Sequence, residues 1–259
     1  MKKYIDDWVV RENRKLTDHA FLLKLQLNRE LPEIHAGQFV QILVENAENV
    51  FLRRPISIHS VDPETRTMDL LAQIVGKGTC KLANLHVNSS VNLIYPLGNG
   101  FTIPINNKQQ KLLLIGGGVG IAPLLFLGQT LKKQGFTPIF LLGARSAKDV
   151  LLLTEFQQTG EAYITTEDGS LGEKGFVTNH SLLASGDFDF IYTCGPQAMM
   201  LAVAHYAKQH QISCEASLEN RMACGIGACL CCVEKTIQGN LCVCTEGPVF
   251  NINDLSWQI

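Results

Sequence analysis

Six of the nine cysteines in this chain of 259 residues lie between Cys224 and Cys244, and their spacing is its most specific chemical signal. Cys224-Gly-Ile-Gly-Ala-Cys229-Leu-Cys-Cys232 reads as C-x4-C-x2-C, and Cys244 follows twelve residues later. That is the spacing of plant-type [2Fe-2S] ligation. Thiolates suit iron as soft donors, and a loop bent around a cluster must turn its amides inward. Gly225 and Gly227 supply the freedom to do so. A four-cysteine zinc site is one alternative, although zinc sites usually present two short Cys pairs, whereas here three ligands crowd one loop and one is remote. A set of unrelated buried thiols is the other. Two choices stay open inside the cluster. Cys231 adjoins Cys232, and Cys242 stands two positions before Cys244, where strand periodicity puts both on one face. The C-x2-C spacing favours Cys232, because it lets the loop wrap.

Three further runs carry possible chemistry. Gly116-Gly-Gly-Val-Gly120-Ile-Ala-Pro123 follows an apolar strand and opens a helix, so its amides can approach a pyrophosphate at a helix N-terminus. It departs from G-x-G-x-x-G, because Ile121 stands where the third glycine falls, and the next strand runs into Gly143-Ala-Arg145 with no acid. A phosphate loop and a structural turn both fit. Arg53-Arg54-Pro55-Ile56-Ser57-Ile58 offers a guanidinium for a phosphate and a hydroxyl for a ring nitrogen, with a basic edge strand as the plainer reading. Tyr192-Thr-Cys194-Gly195-Pro196 ends an apolar strand where open α/β sheets bind ligands, though an isolated thiol is more often packing. His59 is expected to be structural, and no G-x-S-x-G nucleophile elbow is present.

The elements that must position these residues fall into three stretches. From Trp8 to about Ile103, short apolar or alternating runs at 21–27, 39–44, 68–75 and 90–95 predict an antiparallel barrel, with one helix starting near Thr79. From Lys111 strands (111–115, 137–143, 162–165, 188–194) alternate with helices (122–134, 177–184, 196–210), which predicts a parallel sheet covered on both faces. From about Ser213 the chain is Cys- and Gly-rich and too short to hold a core unaided. The expected fold class is multidomain β plus α/β, with units at 1–103, 104–212 and 213–259.

Composition narrows the function. A formal net charge of −2 gives no concentrated positive field, so neither nucleic acid nor an anionic membrane is an expected partner. A hydrophobic content of 46% excludes a mostly disordered chain. Charged residues at 18% fall below the roughly 25% usual for soluble proteins, which hints at a covered surface and a partner subunit. The uncharged stretch 112–131 is long enough for a membrane span, but Gly116, Gly117, Gly118, Gly120 and Pro123 make it a strand, a turn and a helix. The first residues carry charges and no apolar core, so they are not read as a secretory signal. With the clustered thiols, this predicts a reducing, cytoplasmic location.

These motifs, in this order, resemble the ferredoxin reductase superfamily and, more narrowly, the electron-transfer subunits of NAD-linked, two-subunit dihydroorotate dehydrogenase (B type). The resemblance covers essentially the whole chain, including Gly76-Lys-Gly78-Thr79 and the terminal Cys244-Thr-Glu-Gly-Pro-Val-Phe250. It implies an FAD-binding barrel, an NAD-binding α/β domain and a small [2Fe-2S] domain. FAD would be held by Arg54, Pro55, Ile56 and Ser57, by Leu71, Ala72 and Gln73, and by Gly78 and Thr79. Arg54 would meet the pyrophosphate and Ser57 the flavin ring. NAD would be held by Gly116, Gly117, Gly118, Gly120, Cys194, Gly195 and Pro196, with Cys194 near the nicotinamide as the catalytic candidate. The cluster would sit on Cys224, Cys229, Cys232 and Cys244. Ile56 stands where many members of the superfamily carry an aromatic.

The resemblance also implies a partner, an FMN-containing dihydroorotate dehydrogenase catalytic subunit, in a heterotetramer with two copies of each. A nicotinamide exchanges two electrons as a hydride and a [2Fe-2S] centre carries one, so a flavin between them joins the two currencies. The expected function is electron transfer from the catalytic subunit through cluster and FAD to NAD+, in de novo pyrimidine biosynthesis. One rival is the equivalent subunit of an NADH-dependent ferredoxin:NADP oxidoreductase or a sulfide dehydrogenase. Another, of a different class, is a non-catalytic zinc-binding regulatory module. Arg145 fits a 2′-phosphate, so the choice of NAD over NADP rests on the resemblance.

Overall fold

The computed structural model describes residues 2–104 and 109–258. Strands β1 (Tyr4–Thr17), β2 (Ala20–Gln26), β3 (Phe39–Ile42), β4 (Arg54–Asp62), β5 (Thr67–Gln73) and β6 (Ser90–Leu97) close into an antiparallel barrel in the order β1-β2-β5-β4-β3-β6. Closure leaves no free strand edge. Trp8 and Tyr95, both fully buried, meet edge-to-face at 5.0 Å between centroids in its core. Helix α1 (Lys77–Ala83) lies between β5 and β6, where Thr79 Oγ1 accepts the amides of Val75 (2.9 Å) and Gly76 (3.2 Å).

The second unit contains β7 (Leu112–Gly117), α2 (Ala122–Lys133), β8 (Ile139–Ala144), α3 (Leu153–Thr159), β9 (Glu161–Thr166), β10 (Glu173–Lys174), β11 (Phe190–Cys194) and α4 (Gln197–Gln209). The third contributes β12 (Ser213–Ser217), the hairpin β13 (Val233–Thr236) and β14 (Gly239–Cys242), and β15 (Val249–Asn251). The large sheet runs β10-β9-β8-β7-β11-β12-β15, parallel except for β15. Residues 213–217 and 249–251, grouped with the third unit on sequence, are therefore strands of the second unit's sheet. A short segment without its own core gains burial by extending an existing sheet edge.

Strand β7 shows why central strands read as continuous apolar runs. Leu112 and Leu114 enter one core with α2 and the barrel interior, while Leu113 and Ile115 enter a second with α4. The same alternation divides β3. Val40 and Ile42 point into the barrel core, and Phe39 faces outward into the second core beside Cys232, Val243 and Cys244.

The helices differ from the sequence reading in two places. The helix expected over 177–184 is a pair of 3-10 turns, Val177–Asn179 and Ser181–Ser185. Side chains have captured its amides: Asn179 Oδ1 accepts from Phe176 N (3.0 Å), Glu173 Oε2 from Ser181 N (2.8 Å) and His180 Nδ1 from Leu182 N (3.0 Å). Helix α3, unread in the sequence, follows Leu152 at φ +52°. No helix among the described residues is long and apolar enough to cross a membrane, and stretch 112–131 is β7, a 3-10 turn and most of α2.

Candidate functional site

The cysteine loop leaves β12 and returns through the β13–β14 hairpin. Gly225 (φ +71°) and Gly227 (φ +84°) occupy left-handed conformations that glycine adopts without penalty. They are also pressed from outside: a Cβ on Gly227 would stand 2.8 Å from Thr245 Cγ2, and one on Gly225 would stand 2.6 Å from Gln41 Cγ. This bending turns amides onto sulfur. Ile226 N–H donates to Cys224 Sγ (3.4 Å), Gly227 N–H to Cys244 Sγ (3.2 Å) and Cys244 N–H to Cys232 Sγ (3.4 Å).

The Cys229 thiol lies beside Cys224, and both Cys242 and Cys244 lie beside Cys232. Burial alone raises the Cys224 pKa, but the amides of Ile226, Cys229 and Ala228, with the Cys229 thiol, bring it down to about 6. Cys244 is pushed up to about 12 by burial and by the Cys232 thiol beside it. Cys232 is buried and Cys231 exposed. Cys242 ends β14, so strand periodicity does not extend to Cys244; Cys242 is half-buried and hydrogen-bonds the Cys232 thiol. Thiols gathered in one loop under inward amides fit an iron-sulfur centre, whose sulfurs need donors.

A cleft of about 820 Å³ opens at the carboxyl ends of the parallel strands. Gly117, Gly118 and Gly120 line one wall and Cys194, Gly195 and Pro196 another. A Cβ on Gly120 would stand 2.4 Å from Gly195 Cα, so the two loops touch only because both residues lack side chains. Gly116 is absent from the lining; it is packed against Leu124 and Ile121. Cys194 lies beside Ser217, and burial pushes its pKa up to about 12 despite the Ser217 hydrogen bond, so the thiol is neutral. The cleft also takes in Thr17 and His19 from the β1–β2 turn, and Glu219 and Trp257 from the third unit. No spacing rule could have grouped these, because they meet only when barrel, sheet and C-terminus are assembled. Glu215 helps fix that assembly. Its buried carboxylate accepts from Thr102 N (2.9 Å) and Oγ1 (2.6 Å), while Tyr192 OH donates to Thr102 O (2.8 Å).

On the barrel, Arg54 lies over Gly78, where a Cβ would stand 2.6 Å from Arg54 Nε. Its Nη1 donates to the carbonyls of Leu52 (2.7 Å) and Arg53 (3.3 Å), and among the described residues no carboxylate forms an ion pair with it. A half-exposed guanidinium above a glycine, with unused donors, fits the phosphates of a dinucleotide. Pro55 and Ser57 are half-buried, and Ile56, Leu71 and Ala72 are buried. Gln73 alone of the FAD set reaches the large cleft. Thr79 Oγ1 is engaged with the backbone around Gly76. His59 sits one strand turn on, its Nδ1 3.0 Å from Ala122 O, and burial drives its pKa down to about 4.

A family model described as the iron-sulfur cluster binding domain of dihydroorotate dehydrogenase B matches residues 219–256, and one for the oxidoreductase NAD-binding domain matches residues 114–205. The dihydroorotate dehydrogenase B (NAD(+)) electron transfer subunit of Fusobacterium nucleatum is 37% identical over 257 residues, covering 97% of this chain and 98% of that protein. The chain belongs to this family. The subunit of the same name from Shouchella clausii is 39% identical over 223 residues, 85% of each chain. Among solved structures, the NADH-dependent reduced ferredoxin-NADP oxidoreductase superposes with a TM-score of 0.84 at 27% identity, over 96% of this chain and 90% of that one. An Amycolatopsis cytochrome P450 reductase, at 23% identity and a TM-score of 0.69, shares the fold. The electron-transfer-subunit family therefore spans barrel, sheet and cysteine loop together.

Proposed function

We propose that the chain relays electrons from an FMN-containing dihydroorotate dehydrogenase catalytic subunit to NAD+, as the electron-transfer subunit of a pyrimidine-synthesis enzyme. One observation carries the reading: clustered thiols inside inward-pointing amides, on a chain that matches subunits named for this electron transfer along nearly its whole length. When bound, FAD exchanges electrons singly or in pairs, a [2Fe-2S] centre singly, and NAD+ as a hydride.

The chain's own residues hold and order these groups. In this reading Cys224, Cys229, Cys232 and Cys244 ligate the cluster. Arg54 clamps the FAD pyrophosphate, Gly78 lets that guanidinium come down onto the loop, and Pro55, Ile56, Ser57, Leu71, Ala72, Gln73 and Thr79 shape the flavin side. Gly117, Gly118 and Gly120 present amides to NAD+ at the start of α2, Gly116 packs behind them, and Gly195 and Pro196 close the opposite wall. Cys194, neutral and buried, offers the nicotinamide a compact wall and no competing nucleophile. Residues 1–103 act as the flavin unit, 104–212 with β12 and β15 as the nucleotide unit, and the rest of 213–259 as the cluster unit, and two copies join two catalytic subunits. A cytoplasmic setting keeps the thiol ligands reduced.

Visible and EPR spectra of the purified chain, with metal analysis, are expected to report one FAD and one [2Fe-2S] cluster per chain. Mixed with the FMN subunit, the loaded chain should form NADH coupled to orotate production. Full loading without that coupling would favour a ferredoxin-linked oxidoreductase, the assembly whose structure superposes at 27% identity. A colourless, zinc-loaded chain would overturn the relay altogether.

A further inference from the structure

Strand β3 carries a glutamine where its burial is hardest to explain. Gln41 is fully buried, and neither its Oε1 nor its Nε2 has a hydrogen-bond partner. A buried side-chain amide left unpaired costs about 1–3 kcal/mol, and native structures rarely tolerate it. Phe39, on the same face of β3, is a buried member of an apolar core, so a leucine at 41 would suit that face better.

The position of the amide says what it is for. Gln41 shares the outward face of β3 with Phe39, which packs in the core that holds Cys232 and Cys244. Its cross-strand partner is Pro55, within the Arg54-Pro-Ile-Ser57 run, and partners across an antiparallel ladder face the same side. Its other side meets the cysteine loop. A Cβ on Gly225 would stand 2.6 Å from Gln41 Cγ and 2.8 Å from Nε2, so the side chain packs against the residue that follows Cys224. Arg53 Nη1 donates to the Gln41 carbonyl (3.2 Å) and to Asn92 O (3.0 Å), which anchors the strand beneath it.

We propose that Gln41 is a positioning residue for the iron-sulfur centre, its side-chain N–H donating to a sulfur of the loaded Cys224–Gly225 segment and raising the reduction potential of that centre. The proposal rests on the reading of the cysteine loop as a [2Fe-2S] site. Hydrogen bonds to cluster sulfurs favour the reduced, more negative state, and they act strongly where water is excluded. The polypeptide alone leaves the amide unpaired; loading supplies its acceptor. The barrel strand that faces the flavin motif thereby also touches the cluster loop, placing one side chain at the junction of the two.

The test uses the full chain in apo and loaded forms, with Gln41→Leu and Gln41→Glu beside the wild type. EPR-monitored dithionite titration should show both variants holding iron, sulfide and FAD at wild-type ratios, with the cluster harder to reduce. A roughly tenfold change in the one-electron equilibrium, about 59 mV, is expected for Leu and a larger one for Glu, which adds a negative charge. Apo Gln41→Leu should resist urea at least as well as apo wild type, because it removes an unpaired polar group. Unchanged potentials in fully loaded variants, or a clear loss of apo stability in Gln41→Leu, would overturn the proposal while leaving the relay intact. Wild type that takes up no iron would instead overturn the relay and this inference with it.

Discussion

Cys231 and Cys232 are neighbours with opposite surroundings, and the difference decides which can serve a cluster. Cys232 is 2% exposed and accepts the Cys244 amide, whereas Cys231 is on the surface. Cys231→Ser is expected to keep full iron and sulfide content, and Cys232→Ser to lose most of it; chemical analysis and visible absorption of both variants check this. Loss of iron from the Cys231 variant alone would reverse the assignment. For Arg54, the spare donors above Gly78 put its worth in anion binding. Removal of charge-assisted hydrogen bonds costs about 1.5–3 kcal/mol, so Arg54→Ala should bind FAD roughly tenfold to a hundredfold more weakly. Fluorescence titration of the deflavinated protein with FAD measures the change, and wild-type affinity would remove Arg54 from the flavin site.

At the scale of elements, the turn after β7 and the turn after β11 form the cleft by touching one another. Gly120 meets Gly195 and the Cys194 carbonyl so closely that any side chain must force the loops apart. Overpacking of this kind costs about 1–3 kcal/mol. Gly120→Ala should therefore weaken NADH binding in equilibrium titrations while FAD content stays normal, because Arg54 and Gly78 lie on the barrel. Equal loss of FAD would mean that the barrel and the sheet do not respond independently. The 3-10 turns at 177–185 carry a related lesson: apolar spacing predicts a helix there, but Glu173, Asn179 and His180 offer the backbone better local partners.

Across the whole molecule, barrel and sheet are joined at buried polar contacts, of which His59 to Ala122 O titrates. Burial holds His59 near pKa 4, against about 6.5 when unfolded. The unfolded chain therefore takes up a proton first. Stability from this group is complete above pH 6.5 and is lost as pH falls through the folded value, by about 3 kcal/mol in all. Urea unfolding between pH 7 and pH 4 should show a steeper acid loss for wild type than for His59→Gln. Parallel curves would show that His59 does not control the acid limb.

Chemistry that lives in local order is legible along the chain: the C-x4-C-x2-C loop, the glycine run between β7 and α2, the barrel's alternating strands and the apolar runs of a doubly covered sheet. Period and spacing survive in one dimension because neighbouring residues along the chain fix them. Tertiary structure alone decided that Cys232 is buried and Cys231 is not, that 213–217 and 249–251 extend the α/β sheet, and that Thr17, His19, Glu219 and Trp257 share a cleft. It alone set Gln41 against Gly225. These are contacts between residues far apart in the chain, created by the burial of surfaces that no single segment could cover, so no local pattern records them.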